Sequence, residues 1–197
     1  MPSSNKCPMA RRRNGAIFSA FAVLVVALLC AGVTAGVHHG LAGAFEQSDL
    51  ALDEAKGGAQ RKLLFPDATS FESQSAPAVE GLNSVYKADT GAWVFDVTSA
   101  QGYHGDVELM IGINADGTVA GIQVVAEDET DGIGTNALTE EYFGGFAGEP
   151  ASGELTVDEA GAGQTHVDAV SGATFTSRAV VDCLNIAFAA YAQMGGN

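Results

Sequence analysis

Apolar and polar positions change their period several times along this chain, and each change predicts an element. Residues 15–37 are uncharged throughout and predominantly apolar. From 38 to 60, Leu41, Phe45, Leu52 and Ala55 recur at roughly helical spacing among Ala, Gly and acids. They predict a helix closed by Arg61-Lys-Leu-Leu-Phe-Pro-Asp67, with Pro66 as its stop. Residues 68–82 read as a surface connection.

The period then becomes two. Ser84-Val-Tyr-Lys-Ala88 leads into a turn at Asp89-Thr-Gly91, and Ala92–Thr98 follows as a strand. Gly102-Tyr-His-Gly105 is a turn. Asp106–Ile113 and Thr118–Val125 are strands joined by Asn114-Ala-Asp-Gly117, a hairpin sequence. These segments predict an antiparallel sheet of three or four strands. Glu127–Gly134 is too polar and glycine-rich for a core element. Asn136–Phe146 reads as a short helix, Glu154–Val157 as a short strand, and Thr165–Val170 as another. Ser177–Gln193 reads as a helix with Ala179, Val180, Cys183, Leu184, Ala187 and Tyr191 on one apolar face and Thr176 as its N-cap. The fold class is α+β.

The apolar run at 15–37 is long enough for a transmembrane helix, since about 20 residues cross the hydrocarbon core. Arg11-Arg-Arg13 precedes it, which places the N-terminus in the cytoplasm and the rest outside. The organisation is therefore a basic tail (1–14), a transmembrane helix (15–37), a membrane-proximal helix and connection (38–67) and one extracytoplasmic domain (68–197). A cleaved signal peptide ending near Val33-Thr-Ala35 is the main rival. A retained anchor is preferred because the run exceeds the usual 7–15-residue core of a signal peptide.

Charge sharpens this division. Residues 1–37 hold Lys6, Arg11, Arg12 and Arg13 and no acid, whereas all 24 acidic residues lie beyond them with five basic ones. Such a domain disfavours nucleic acid and anionic head groups. Cys183 is alone in it, so no disulfide forms there. No Cys-x-x-Cys pair and no histidine spacing suggests a metal site.

The densest chemistry lies in Asp168-Ala-Val-Ser-Gly-Ala-Thr174-Phe-Thr176. It puts an open turn carrying three hydroxyls in front of a helix, where free N–H groups suit a phosphate. A threonine hydroxyl needs a base or a metal to act as a nucleophile. Thr174 has only Arg178 beside it, so it suits an acceptor modified by another enzyme. A plain helix start is the bland alternative. The acidic, glycine-rich Glu129-Thr-Asp-Gly-Ile-Gly134 suggests either close backbone approach to a flat ligand or calcium, although the acids do not follow a calcium-loop spacing. Trp93 and the tyrosines read as core before they read as ring-stacking residues.

Two of these stretches resemble the extracytoplasmic FMN-binding domain family: the Asp168–Thr174 run matches its Asp-x-x-Ser/Thr-Gly-Ala-Thr motif, and 129–134 is similar to its Glu-Thr-Pro-Gly-Leu-Gly loop. Asp131 replaces the usual proline, and Glu127 stands near a position where the family often has histidine. The Gly102-Tyr-x-Gly turn, strand, Asp116-Gly117, strand order also matches. Together with the basic tail, single anchor and Leu-Leu-Phe-Pro segment, the chain is similar to the G subunits of the Rnf ion-translocating oxidoreductase complexes.

That resemblance implies FMN held covalently by a phosphodiester to Thr174, with Asp168, Ser171, Gly172, Ala173, Thr176 and Arg178 around the attachment and Glu129, Thr130, Gly132 and Gly134 toward the ring. It implies no resident metal and no catalytic residue acting alone. The implied role is electron transfer within a membrane complex that moves electrons between ferredoxin and NAD and translocates Na⁺ or H⁺. The implied partners are the complex's other membrane subunits and a flavin transferase of the ApbE type that uses FAD. The implied location is the inner or plasma membrane, single-pass. The C subunit of the Na⁺-pumping NADH:quinone reductase and a stand-alone extracytoplasmic flavoprotein are the redox alternatives. An anchored, cofactor-free binding module is the alternative outside redox chemistry.

Overall fold

Strand residues that alternate sides are buried on both sides in the middle of this domain, so the sheet must be covered on two faces. The computed structural model describes residues 57–196, all within one compact unit. Five strands form an antiparallel meander in the order β1 (Phe71–Gln74), β2 (Leu82–Ala88), β3 (Trp93–Ser99), β4 (Val107–Ile113) and β5 (Val119–Glu127). Phe95, Val97, Val107, Leu109, Ile111 and Ile113 face one side, and Val94 and Met110 face the other.

The first face carries a long C-terminal helix, Thr174–Gln193. Its Ala179, Val180, Cys183, Leu184, Ala187 and Tyr191 are buried against the strands, as the periodicity predicts. The second face is covered by the chain that precedes the sheet. Residues 57–64 form the first described helix, α1. Leu64 and Phe65 pack with Tyr86, Val94 and Met110, and the Phe65 ring lies where a Cβ on Gly112 would be 3.0 Å from it. Pro66 follows the helix and ends it.

Four expectations change. Residues 68–82 are more than a connection: Phe71–Gln74 pairs with β2 as an edge strand, and Ala68 is fully buried. The sheet thus has five strands. The 136–146 segment divides into a 3-10 turn, Gly134–Ala137, and a short helix, α2, Glu140–Gly144. Thr139 accepts the Tyr142 N–H and starts α2 afresh. The strand expected over 165–170 is β7, Gln164–His166, paired in parallel with β6, Glu154–Thr156. The C-terminal helix, α3, begins at Thr174, three residues earlier than expected.

The tail and anchor expected over residues 1–37, and the helix expected over 38–60 up to residue 56, lie outside the described residues. Among the described residues no helix is long and apolar enough to cross a membrane.

The β3–β4 turn and the loop after β5 emerge at one end of the sheet, with the start of α3. The β2–β3 and β4–β5 turns lie at the other end, where α1 finishes beside Thr90, Asn114 and Ala115.

Candidate functional site at the start of α3

Val170–Ala173 is a reverse turn in which the Ala173 N–H donates to the Val170 carbonyl at 2.9 Å. Gly172 occupies its third position at φ +82°. That conformation, not crowding, selects glycine, because a Cβ there would meet open space. Ser171 is exposed at the turn's second position.

Thr174 is the first residue of α3, and the preceding Ala173 offers no side-chain cap. The first N–H groups of the helix are therefore without intrahelical partners. The three hydroxyls of the motif are not equivalent. Thr176 is completely buried, and its Oγ1 donates to Glu129 Oε2 at 2.8 Å. It does not cap the helix, contrary to the expectation, because it lies inside the first turn. Ser177, also buried, takes the bracing role: its Oγ accepts the Val170 N–H at 3.0 Å. Thr174 and Ser171 remain exposed.

The 129–134 segment meets this turn through Glu129. Its Oε1 accepts the Tyr103 N–H at 2.8 Å and the His104 N–H at 3.4 Å, and its own N–H donates to Glu127 Oε2 at 2.6 Å. The Thr130 carbonyl accepts the N–H groups of Ile133 and Gly134, both at 3.0 Å. Gly132 adopts φ +73°, donates to Thr135 Oγ1 at 2.9 Å and accepts from Asn136 Nδ2 at 2.8 Å. Asp131 accepts from Thr135 at 3.4 Å, so the residue at the family's proline position braces the loop from its side chain. Both glutamates are engaged internally.

Two aromatic rings stand exposed here, one of them on Phe175, the residue after Thr174. Tyr103 is 57% exposed and Phe175 is 53% exposed, with ring centroids 6.0 Å apart at 42°. The Arg178 guanidinium lies 5.7 Å from the Phe175 ring centre. Ile133, on the glycine loop, is 47% exposed. Phe175 went unnoticed in the sequence, although its phase off the apolar stripe of α3 marks it as outward-facing. Trp93 stands at the start of β3, the end of the sheet remote from this turn, under the Lys87 ammonium at 4.7 Å.

Arg178 follows Thr174 by one helical turn, so the two share a face of α3. Its guanidinium is held by Asp158 at 2.5 and 3.3 Å. That hydrogen bond and charge hold the Asp158 carboxyl below its ordinary range and raise Arg178. His166 is an exposed residue here and not a core one; its Nδ1 lies 3.0 Å from the Asp158 carbonyl and its Nε2 3.5 Å from Asp168. Asp168 projects fully into solvent. Tyr142 of α2 is partly buried nearby, and burial pushes its phenol above the ordinary range, opposed by the Ser177 hydroxyl and aided by the Asp168 charge. Cys183 is buried on the inner face of α3, away from this surface. Among the described residues no cluster of three His, Cys, Asp or Glu side chains has the arrangement of a metal site.

The arrangement fits a flat, phosphate-bearing ligand: an exposed hydroxyl at a helix start, a cation one turn on, two ring faces beside it, and open space above Gly132 and Gly172. Comparison with known proteins agrees with that chemistry. The family described as FMN-binding domain matches residues 102–189. The chain is 30% identical over 187 residues to the G subunit of the ion-translocating oxidoreductase complex of Pseudoalteromonas atlantica, covering 87% of this chain and 84% of that one. It is 27% identical over 190 residues to the G subunit of the Na⁺-translocating ferredoxin:NAD⁺ oxidoreductase complex of Acetobacterium woodii, covering 87% and 89%. Among solved structures, the C subunit of the Na⁺-translocating NADH-quinone reductase of Parabacteroides distasonis aligns over 57% of this chain and 61% of that one, at 23% identity and a TM-score of 0.45.

Proposed function

Because the chain belongs to the G-subunit family of ion-translocating oxidoreductase complexes, we propose that it is the complex's extracytoplasmic electron carrier, with FMN esterified to Thr174. The observation that carries the reading is the division of hydroxyls at the start of α3. Thr176 and Ser177 are buried and bonded, while Thr174 is exposed at the first helical position with Phe175 and Tyr103 beside it.

Bound FMN would supply reversible one- and two-electron chemistry. The chain's part is to hold and orient it. The N–H groups at the start of α3 would hold the phosphodiester, with Arg178, now bonded to Asp158, as the cation one turn on. Tyr103, Phe175 and Ile133 offer apolar contact to the ring. Asp168, Ser171, Gly172 and Ala173 shape the segment presented to the modifying enzyme, and Thr130, Gly132 and Gly134 form the loop alongside. Arg178, one turn from Thr174, cannot take its proton, so attachment is assigned to a separate flavin transferase with FAD as donor. In that transfer Thr174 would supply the acceptor hydroxyl, the FMN half of FAD would be joined to it, AMP would be released, and the transferase would take the proton.

The Acetobacterium woodii relative is named for ferredoxin:NAD⁺ oxidoreduction with Na⁺ translocation and the Pseudoalteromonas atlantica relative for ion translocation; on this reading the chain passes electrons to and from other subunits of such a complex. The proposed placement is a single-pass anchor over residues 15–37 with this domain outside.

Peptide mass spectrometry of the full chain purified from its own membranes tests the reading. The expected result is one FMN phosphoryl ester on Thr174 within Ser171–Arg178, absent from Thr174→Ala and retained in Ser171→Ala. Unmodified native protein in cells that contain an active flavin transferase overturns it and favours a cofactor-free binding module.

A further inference from the structure

Glu129 sits in a sequence that invites a ligand-binding role, yet its carboxylate faces inward. One oxygen accepts the Tyr103 and His104 amides, and the other accepts the Thr176 hydroxyl. The three partners belong to two segments separated by every element from β4 to β7. Two glycines make room for it. A Cβ on Gly134 would lie 1.9 Å from Oε2, and one on Gly102 would lie 2.5 Å from Oε1 and 2.1 Å from the Gly105 carbonyl. Gly102 and Gly134 belong to the two glycine motifs of this domain, and both motifs therefore close around one carboxylate.

This carboxylate joins the β3–β4 turn to the first turn of α3. On its outer side those same segments present the Tyr103 and Phe175 rings, whose centroids are 6.0 Å apart. The neighbouring residues Tyr103 and Phe175 take their backbone positions from the amide and the hydroxyl that Glu129 holds. Charge-assisted hydrogen bonds of this kind are the stronger class, and a network bonded at each member fixes geometry.

We propose that Glu129 is a positioning residue: its carboxylate clamps the Gly102–Gly105 turn to the first turn of α3 and so sets the Tyr103–Phe175 ring pair beside Thr174. It acts behind the ligand surface and does not touch the ligand. The consequence for a flavin rests on the function proposed above; the clamp itself does not.

The experiment uses the full chain in detergent, with and without flavin, as wild type, Glu129→Ala, Glu129→Gln, Thr176→Val and the Glu129→Ala/Thr176→Val pair. Hydrogen exchange of the peptide containing Tyr103 and His104 should quicken about tenfold in Glu129→Ala, as expected for loss of a charge-assisted bond. Glu129→Gln keeps an acceptor for Tyr103 and should restore most of the protection. Thr176→Val preserves shape and folding but removes the donor. In flavin-bearing protein it and Glu129→Ala should shift the visible circular dichroism of the flavin in the same direction, with no further shift in the pair. Lowered melting temperatures with unchanged exchange at Tyr103 and unchanged flavin dichroism would overturn the clamp. Absence of flavin from wild-type protein would instead count against the proposed function, and the exchange data would still decide the clamp.

Discussion

The Ser177 hydroxyl accepts the Val170 N–H at 3.0 Å, closing the Ser171–Ala173 turn from the helix that follows it. Ser177 is fully buried, and the turn it braces carries Thr174 on its outer rim. Ser177→Ala removes the acceptor and leaves the amide unpaired, at a cost of about 1 kcal/mol. The expected result is a slightly lower melting temperature together with a lower fraction of chains bearing FMN, read by intact mass. Full flavin loading in Ser177→Ala would show that the brace is dispensable for presenting Thr174.

The Asp158–Arg178 pair predicts a pH effect of known sign. Hydrogen bonding and charge from Arg178 lower the Asp158 pKa in the folded chain. Stabilisation from a lowered carboxyl pKa is fully present above the ordinary carboxylate value and is lost as pH falls through the folded value. Wild type and Asp158→Asn should therefore differ most near neutral pH and converge below about pH 4. The pair is exposed, so the difference should be small and should shrink with added salt. Thermal melts across pH and ionic strength measure it. A difference that grows toward acid would contradict the assignment.

Much of the sheet was legible because its strands obey period two and are separated by turns at Asp89–Gly91, Gly102–Gly105 and Asn114–Gly117. Phe71–Gln74 escaped because an edge strand of four residues with Glu72 and Ser73 exposed carries no alternation to read. Its pairing with β2 is set by the neighbour, not by its own sequence. Thr139 carries a local cap signal, with Glu140 and Glu141 in the first turn of α2, yet the helix expected over 136–146 ran straight through it.

The candidate site shows the same split between local and distant information. Gly172 and the helix behind it are local, and the motif exposes them. Thr176 reads as the cap in sequence, and only burial reveals that it and Ser177 turn inward while Thr174 stays exposed. Thr176 finds Glu129 from 47 positions away, and no periodicity announces such a bond. The cap expected at Thr176 fails for that reason: its hydroxyl is bonded to Glu129, and α3 starts two residues earlier, at Thr174.

Cys183 should be chemically silent in the folded chain. Burial first, and the Asp182 charge second, push its thiol far above the ordinary range, and its Sγ contacts the Val107 carbonyl at 3.7 Å. Alkylation depends on the thiolate and on access. Iodoacetamide at about pH 8.5, where an unperturbed thiol is half ionised, should leave Cys183 unmodified until denaturant is added. Peptide mapping separates it from Cys7 and Cys30. Rapid native labelling of Cys183 would mean that α3 opens from the sheet.

The two glycines of the 132–134 loop should respond to alanine for different reasons. Gly132 has φ +73° and open space around it, so Gly132→Ala pays only for the left-handed backbone, about 1 kcal/mol. Gly134 has no such conformation to protect, but its added Cβ would stand 1.9 Å from Glu129 Oε2. The carboxylate must then leave its place between Tyr103 and Thr176, which costs about 2 kcal/mol or more in lost bonds. Gly134→Ala should therefore copy Glu129→Ala in hydrogen exchange at Tyr103 and His104, whereas Gly132→Ala should lower the melting temperature without touching those amides. If both variants leave the Tyr103 amide protected, the carboxylate has another seat, and Gly134 is glycine for some reason other than Glu129.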